Sequence, residues 1–106
     1  MVVKVYKIER ASLSKLKAVL EAQEKDGFIN EFARHGYKLW DAKTLELGGD
    51  ASYLYINAEN DFFSRNEGKL KITGVQALSG KDLEKVKKKI EDAEESAEAG
   101  LGAIFG

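Results

Sequence analysis

Between Tyr37 and Ala58 two strand-like runs, YKLWDAKTLEL and ASYLYINA, flank Gly48-Gly49-Asp50, whose residue types tolerate a positive φ. A hairpin is expected there, and it constrains the rest of the chain because it sets strand parity. In its second run Leu54 and Ile56 alternate with Tyr53 and Tyr55. Side chains in a strand point alternately to the two faces, so aliphatic groups go to one side and phenol rings to the other. The first is a core face. The second carries aromatic rings that need a covering.

The remaining pattern supplies the elements around that hairpin. Val2 to Ile8, VVKVYKI, is β-branched and partly alternating, and is expected as a strand. Ser12 or Ser14 can cap a following helix in which Leu13, Leu16, Val19, Leu20 and Gln23 form one buried stripe. Asp26-Gly27 is expected to stop or kink that helix. Phe28, Ile29 and Phe32 then start a second short helix ending at Arg34-His35-Gly36, with bases in the last turn and glycine just past it. After the hairpin, residues 59–68 fit a loop or single helical turn whose Phe62 and Phe63 plug the edge of the core. Lys69 to Leu78 alternates as a strand, with Gly74 marking a bulge or close backbone approach. Ser79 opens a long helix with a narrow seam of Leu83, Val86, Ile90, Ala93 and Ala97, which Gly100 is expected to end. Some 20 residues make a rod of about 30 Å, longer than an eight-residue strand, so its last turns should overhang the sheet.

In this order, β-α-α-β-β-β-α, the chain is expected to form one α+β domain over residues 1–106, with 100–106 as a tail. Its architecture is two layers, a mainly antiparallel four-stranded sheet with helices on one face. The opening βαββ is shared with ferredoxin-like folds, which end on a strand where this chain ends on a helix.

Composition then removes whole classes of function. With no cysteine there is no disulfide, thiolate nucleophile or Cys-ligated zinc, and a single histidine removes His-rich metal sites. No apolar run approaches the roughly 20 residues of a membrane span, and MVVKVYKIER is unlike a signal peptide, so a soluble, cytoplasmic protein without a membrane partner is expected. Only six Asn and Gln accompany 17 basic and 18 acidic residues, a lean toward thermophilic composition that the absence of proline opposes. Charge is distributed unevenly. All 17 bases lie at or before Lys89, whereas Glu91, Asp92, Glu94, Glu95 and Glu98 follow with none.

Two surfaces are candidates for contact with something else. If Leu39, Leu54, Ile56, Leu70 and Ile72 face the helices, then Trp40, Tyr53, Tyr55, Lys69 and Lys71 share the opposite face, which a two-layer fold leaves uncovered. Such a platform joins sheets in homo-oligomers. It also stacks single-stranded bases, at about 1–3 kcal/mol each, or floors a small-molecule pocket between subunits. A near-neutral net charge of −1 weighs against nucleic acid. The second surface is the acidic helix end with Leu101, Ile104 and Phe105. Carboxylates there oppose the helix dipole, and Glu91/Glu95 and Glu94/Glu98 repel at i, i+4 spacing. A basic surface on a neighbouring subunit would offset both; the equal alternative is a solvated charged face with the tail folded back onto its own core.

Catalytic readings have less behind them. His35 beside a helix end caps or lies exposed more often than it acts as a base. Asp41 beside Trp40 has the pattern of a buried carboxylate with a raised pKa, yet no nucleophile or acid stands near it in sequence. Glu59, Asp61 and Glu67 with Asn60 offer oxygen ligands, an ordinary run in a polar loop. Gly48-Gly49-Asp50 lacks the strand-to-helix context and lysine of a phosphate loop. No cofactor or metal is expected. The reading that follows is a self-associating binding module without chemistry of its own. Its alternatives are single-stranded nucleic-acid binding through the aromatic and lysine face, and a small enzyme or small-molecule site between subunits built from Asp41, His35 and residues 59–67.

Overall fold

The computed structural model describes residues 1–22 and 30–105, with side chains described through Glu95. Strand β1 spans Val2–Ile8, followed by a 3-10 turn Arg10–Ser12 and helices α1, Leu13–Glu21, and α2, Glu31–His35. Strands β2, Lys38–Asp41, and β3, Ser52–Ala58, lead to α3, Asn60–Asn66, and a 3-10 turn Glu67–Leu70. Strand β4, Val75–Ala77, and helix α4, Gly80–Phe105, complete the chain.

The four strands form one antiparallel sheet in the order β2-β3-β1-β4. The α+β class and the antiparallel four-stranded sheet are as the pattern of the chain requires. Residues 59–68, expected as a loop or single turn, hold a seven-residue helix. With α3 included, the elements up to β4 run β-α-β-β-α-β, the split βαβ order of ferredoxin-like folds, to which α4 is appended.

On the face covered by α1, α2 and α3, Tyr6, Ile8, Leu54, Ile56 and Ala58 pack against Leu16 and Leu20 of α1, Phe32 of α2, Phe62 and Phe63 of α3, and Leu70. The predicted α1 stripe lies in this core, although Gln23, Asp26-Gly27, Phe28 and Ile29 fall outside the described residues. Asn30 joins the two helices. Its side-chain Oδ1 accepts from Ala33 N–H as the α2 cap, and its side-chain Nδ2 donates to the Val19 and Ala22 carbonyls at the end of α1. Gly36, at φ 92°, ends α2 as expected.

The hairpin forms with a shorter first strand and a longer connection than its sequence suggested. Asp41 ends β2, because its carboxylate accepts from the Thr44 backbone at 2.7 Å and starts a turn. Ala42 and Leu45 in the connection are buried, which holds it against the sheet. The expected strand Lys69–Leu78 is the larger departure. Lys71 N–H bonds the Gly68 carbonyl and Val75 N–H the Ile72 carbonyl, so the chain coils until β4 begins. Leu70 and Ile72 reach the core from turns, and their spacing imitates a strand. Gly74 is the close approach predicted for it. Its φ is 90°, and an added Cβ would run into Ser12, whose hydroxyl donates to the Thr73 carbonyl at 2.6 Å.

Gly100 does not end the last helix. The backbone of α4 stays helical for 26 residues, to Phe105. No helix among the described residues is long and apolar enough to cross a membrane.

Candidate functional site

Helix α4 lies across the face opposite α1, α2 and α3, and this overturns the expectation of an uncovered aromatic platform. Its Leu83, Val86, Ile90 and Ala93 meet Val3 and Val5 of β1, Trp40 of β2, and Tyr53 and Tyr55 of β3. Tyr53 is 5% exposed, and Trp40 and Tyr55 are half-buried. The physical reason is the seam. Apolar residues spaced 3-4-3 along a helix fit a sheet of the same chain as well as a partner helix, and the same-chain surface is closer at hand. Lys69 and Lys71 are absent from this face altogether. Lys69 donates to the Asn66 side chain at 3.2 Å, and Lys71 is exposed beyond the 3-10 turn.

The register fixes how α4 crosses. Trp40, Tyr53, Lys7 and Gln76 form one transverse row of the sheet, and Lys38, Tyr55, Val5 and Leu78 the next. Asp82, Lys85 and Val86 border Gln76 and Leu78 at the β4 edge, around a cavity of 280 Å³ that also reaches Leu47 and Tyr53. Further along, Glu94 meets Lys38 of β2 at 2.6 Å. The helix therefore runs from one edge strand to the other. Tyr55 beneath it has its phenol pKa raised, first by burial and then by Glu91 and Glu94, with Lys38 acting in the opposite sense. Among the described residues two buried polar atoms at this corner have no hydrogen-bond partner, Trp40 Nε1 and Glu94 Oε1.

Past Glu95 the helix continues for ten residues, 96–105, or about 15 Å, beyond the outermost strand. Leu101, Ile104 and Phe105 belong to this extension, and their side chains lie outside the described residues.

A second feature is an open cleft of 710 Å³ at the far end of β3, lined among others by Glu31, Arg34, His35, Glu59, Asp61 and Arg65. His35 Nε2–H donates to the Asn57 carbonyl at 2.8 Å, and the ring packs on Phe62 with centroids 4.8 Å apart. Arg65 clamps Glu31 through Nε, which reaches both carboxylate oxygens, and Nη2, and Asn66 Nδ2 donates a fourth bond. Those hydrogen bonds, led by Arg65, hold the Glu31 carboxyl below its usual range. The arrangement joins α2 to α3. Thus the fold brings His35 and residues 59–65 together but leaves Asp41 elsewhere, exposed, with its pKa lowered by the Thr44 hydrogen bonds and not raised by burial. Among the described residues no group of three metal-ligating side chains converges.

Sequence reasoning missed Asn30 and the Glu31–Arg65 clamp. A capping signal for the first was present, since asparagine stands directly before EFARHG. The clamp joins residues 34 apart and has no local signal. Comparison of the chain with family models, curated proteins and solved structures finds no match.

Proposed function

We propose that this protein is a self-associating binding module of the cytoplasm, without chemistry of its own, whose subunits meet around the outward run of α4. One observation carries the reading: α4 crosses the sheet, passes its outermost strand at Lys38, and stays helical through a further ten residues. In that extension Ala97, Ala99, Leu101, Ala103, Ile104 and Phe105 outnumber a lone charged residue, Glu98. Apolar residues on a helix that has passed the sheet covering its earlier turns gain by burial against another surface. A neighbouring subunit supplies that surface.

The test is native mass by light scattering for the whole chain and for an Ile104→Asp/Phe105→Asp double variant. An oligomer that dissociates in the variant, with unfolding of the body unchanged, supports the reading. A monomeric wild-type chain at tens of micromolar ends it. The oligonucleotide reading has lost its support, since bases could stack on Tyr53 only after α4 had left the sheet.

A small-molecule site remains as a second reading, favoured by the convergence of His35, Arg34, Glu59 and Asp61 on one open cleft. A thermal-shift screen of small carboxylates and phosphates, repeated on Arg34→Ala, tests it; no ligand-dependent shift in the wild type removes it.

A further inference from the structure

Among the described residues the outer edge of β2 has no strand beside it, and its hydrogen-bonding parity can be read from the hairpin. Ala42 N–H bonds the carbonyl of Ala51, the residue opposite it in the β2–β3 register. Residues of this parity, 38, 40 and 42, therefore aim their backbone groups at β3. Tyr37 and Leu39 aim theirs outward, as does the Asp41 N–H, while the Asp41 carbonyl accepts from Leu45 N–H at 3.3 Å in the turn. We infer that two copies of this chain join edge to edge through β2, antiparallel, with Leu39 opposite the partner's Leu39. This rests on the self-association proposed above and names its surface.

Three symmetric registers satisfy the parity, and side-chain chemistry separates them. Centred on Lys38, the pairing sets the two lysines directly opposite, each already held by its own Glu94, and leaves Trp40 opposite the partner's Gly36, before the strand begins. Centred on Trp40, it sets Leu39 against the partner's Asp41 and leaves Tyr37 opposite a residue past the strand end. Centred on Leu39, it pairs Leu39 with its equivalent, Lys38 with the partner's Trp40, and Tyr37 with the partner's Asp41. Every position then has a compatible neighbour, a cation beside an indole and a phenol donor beside a carboxylate acceptor. The outward residues exchange up to about four backbone hydrogen bonds, two at the Leu39 pair and two from the Asp41 N–H groups.

A five-residue strand pair alone falls short of the roughly 1,200 Å² that specific interfaces bury. The extension of α4 supplies the remainder. It leaves the sheet over Lys38, beside the dyad, so the symmetry carries it onto the partner on the face that holds Trp40. The corner where this happens is also where Trp40 Nε1 and Glu94 Oε1 have no partner among the described residues.

Because the chain has no cysteine, single replacements report the register directly. A dyad at Leu39 brings the two Leu39 Cα atoms to about 5.5 Å, within disulfide reach, and holds each Lys38 or Trp40 pair about 8 Å apart, outside it. Leu39→Cys should therefore run as a covalent dimer on a non-reducing gel after mild oxidation, with Lys38→Cys and Trp40→Cys remaining monomeric. Cross-linking at 38 or 40 in place of 39 overturns the register. A dimeric native mass with no cross-link at any of the three overturns the β2 joint and leaves self-association standing. A monomeric mass for all, wild type included, removes both.

Discussion

The two faces of the sheet are covered by different means. On one, three helices from separate parts of the chain converge, and Phe32, Phe62 and Phe63 meet edge to face with centroids 5.6 Å apart. On the other, a single helix lies down through a seam of four apolar residues, bordered by the Lys38–Glu94 pair. Leu54 on the first face and Ile90 on the second are both completely buried. Their surroundings differ in how they can respond to a lost side chain. A face held from three directions keeps its cavity open, whereas a lone helix can slide to close one.

That contrast gives the largest expected effect. Leu54→Ala should cost about 4–5 kcal/mol and Ile90→Ala about 2–3 kcal/mol, measured by urea unfolding at equal m-value. Equal costs would break the comparison. Hydrogen exchange sharpens it: α4 amides should exchange through local undocking at a lower free energy than those of β1 and β3.

Next in size is Gly74→Ala, which tests the seam between β4 and the turn before α1. Its positive φ strains any side chain, and the new methyl meets Ser12, so about 2–3 kcal/mol should be lost. Adding Ser12→Gly to Gly74→Ala should recover part of that loss; no recovery would remove the steric account.

The smallest effect belongs to Tyr6, on the three-helix face. Its hydroxyl is buried without a partner among the described residues, so Tyr6→Phe should change stability at neutral pH by less than about 1 kcal/mol, in either direction. At high pH the two proteins should diverge. Burial, with Glu67 adding to it, pushes the Tyr6 phenol up from 10.0 to about 12. The folded state holds this proton more tightly than the unfolded chain. The stability linked to it is therefore complete below pH 10 and is lost as pH rises toward 12. Melting temperature against pH should fall less steeply over that window in Tyr6→Phe than in wild type.

Much of the first face was legible in advance. Leu16 and Leu20 repeat at helical spacing, Leu54 and Ile56 at strand spacing, and each packs as its period requires. Gly36 and Gly74 sit where positive φ is needed. The second face was misread at two places for physical reasons. Lys69 to Ile72 alternates as a strand would, but a 3-10 turn also brings Leu70 inward, and four residues cannot separate the two periods. The site residues Trp40, Tyr53 and Tyr55 do share a face, as parity demanded. What lies over them is their own chain.

Local pattern by itself therefore determined the class, the hairpin, strand parity and the buried stripe of α1, because each depends on residues within a few positions of one another. Only the tertiary structure decided that α4 lies back over the aromatic face and points past β2, and that Arg65 reaches Glu31. Those contacts join elements dozens of residues apart, and an amphipathic seam records that it must be covered without recording by what.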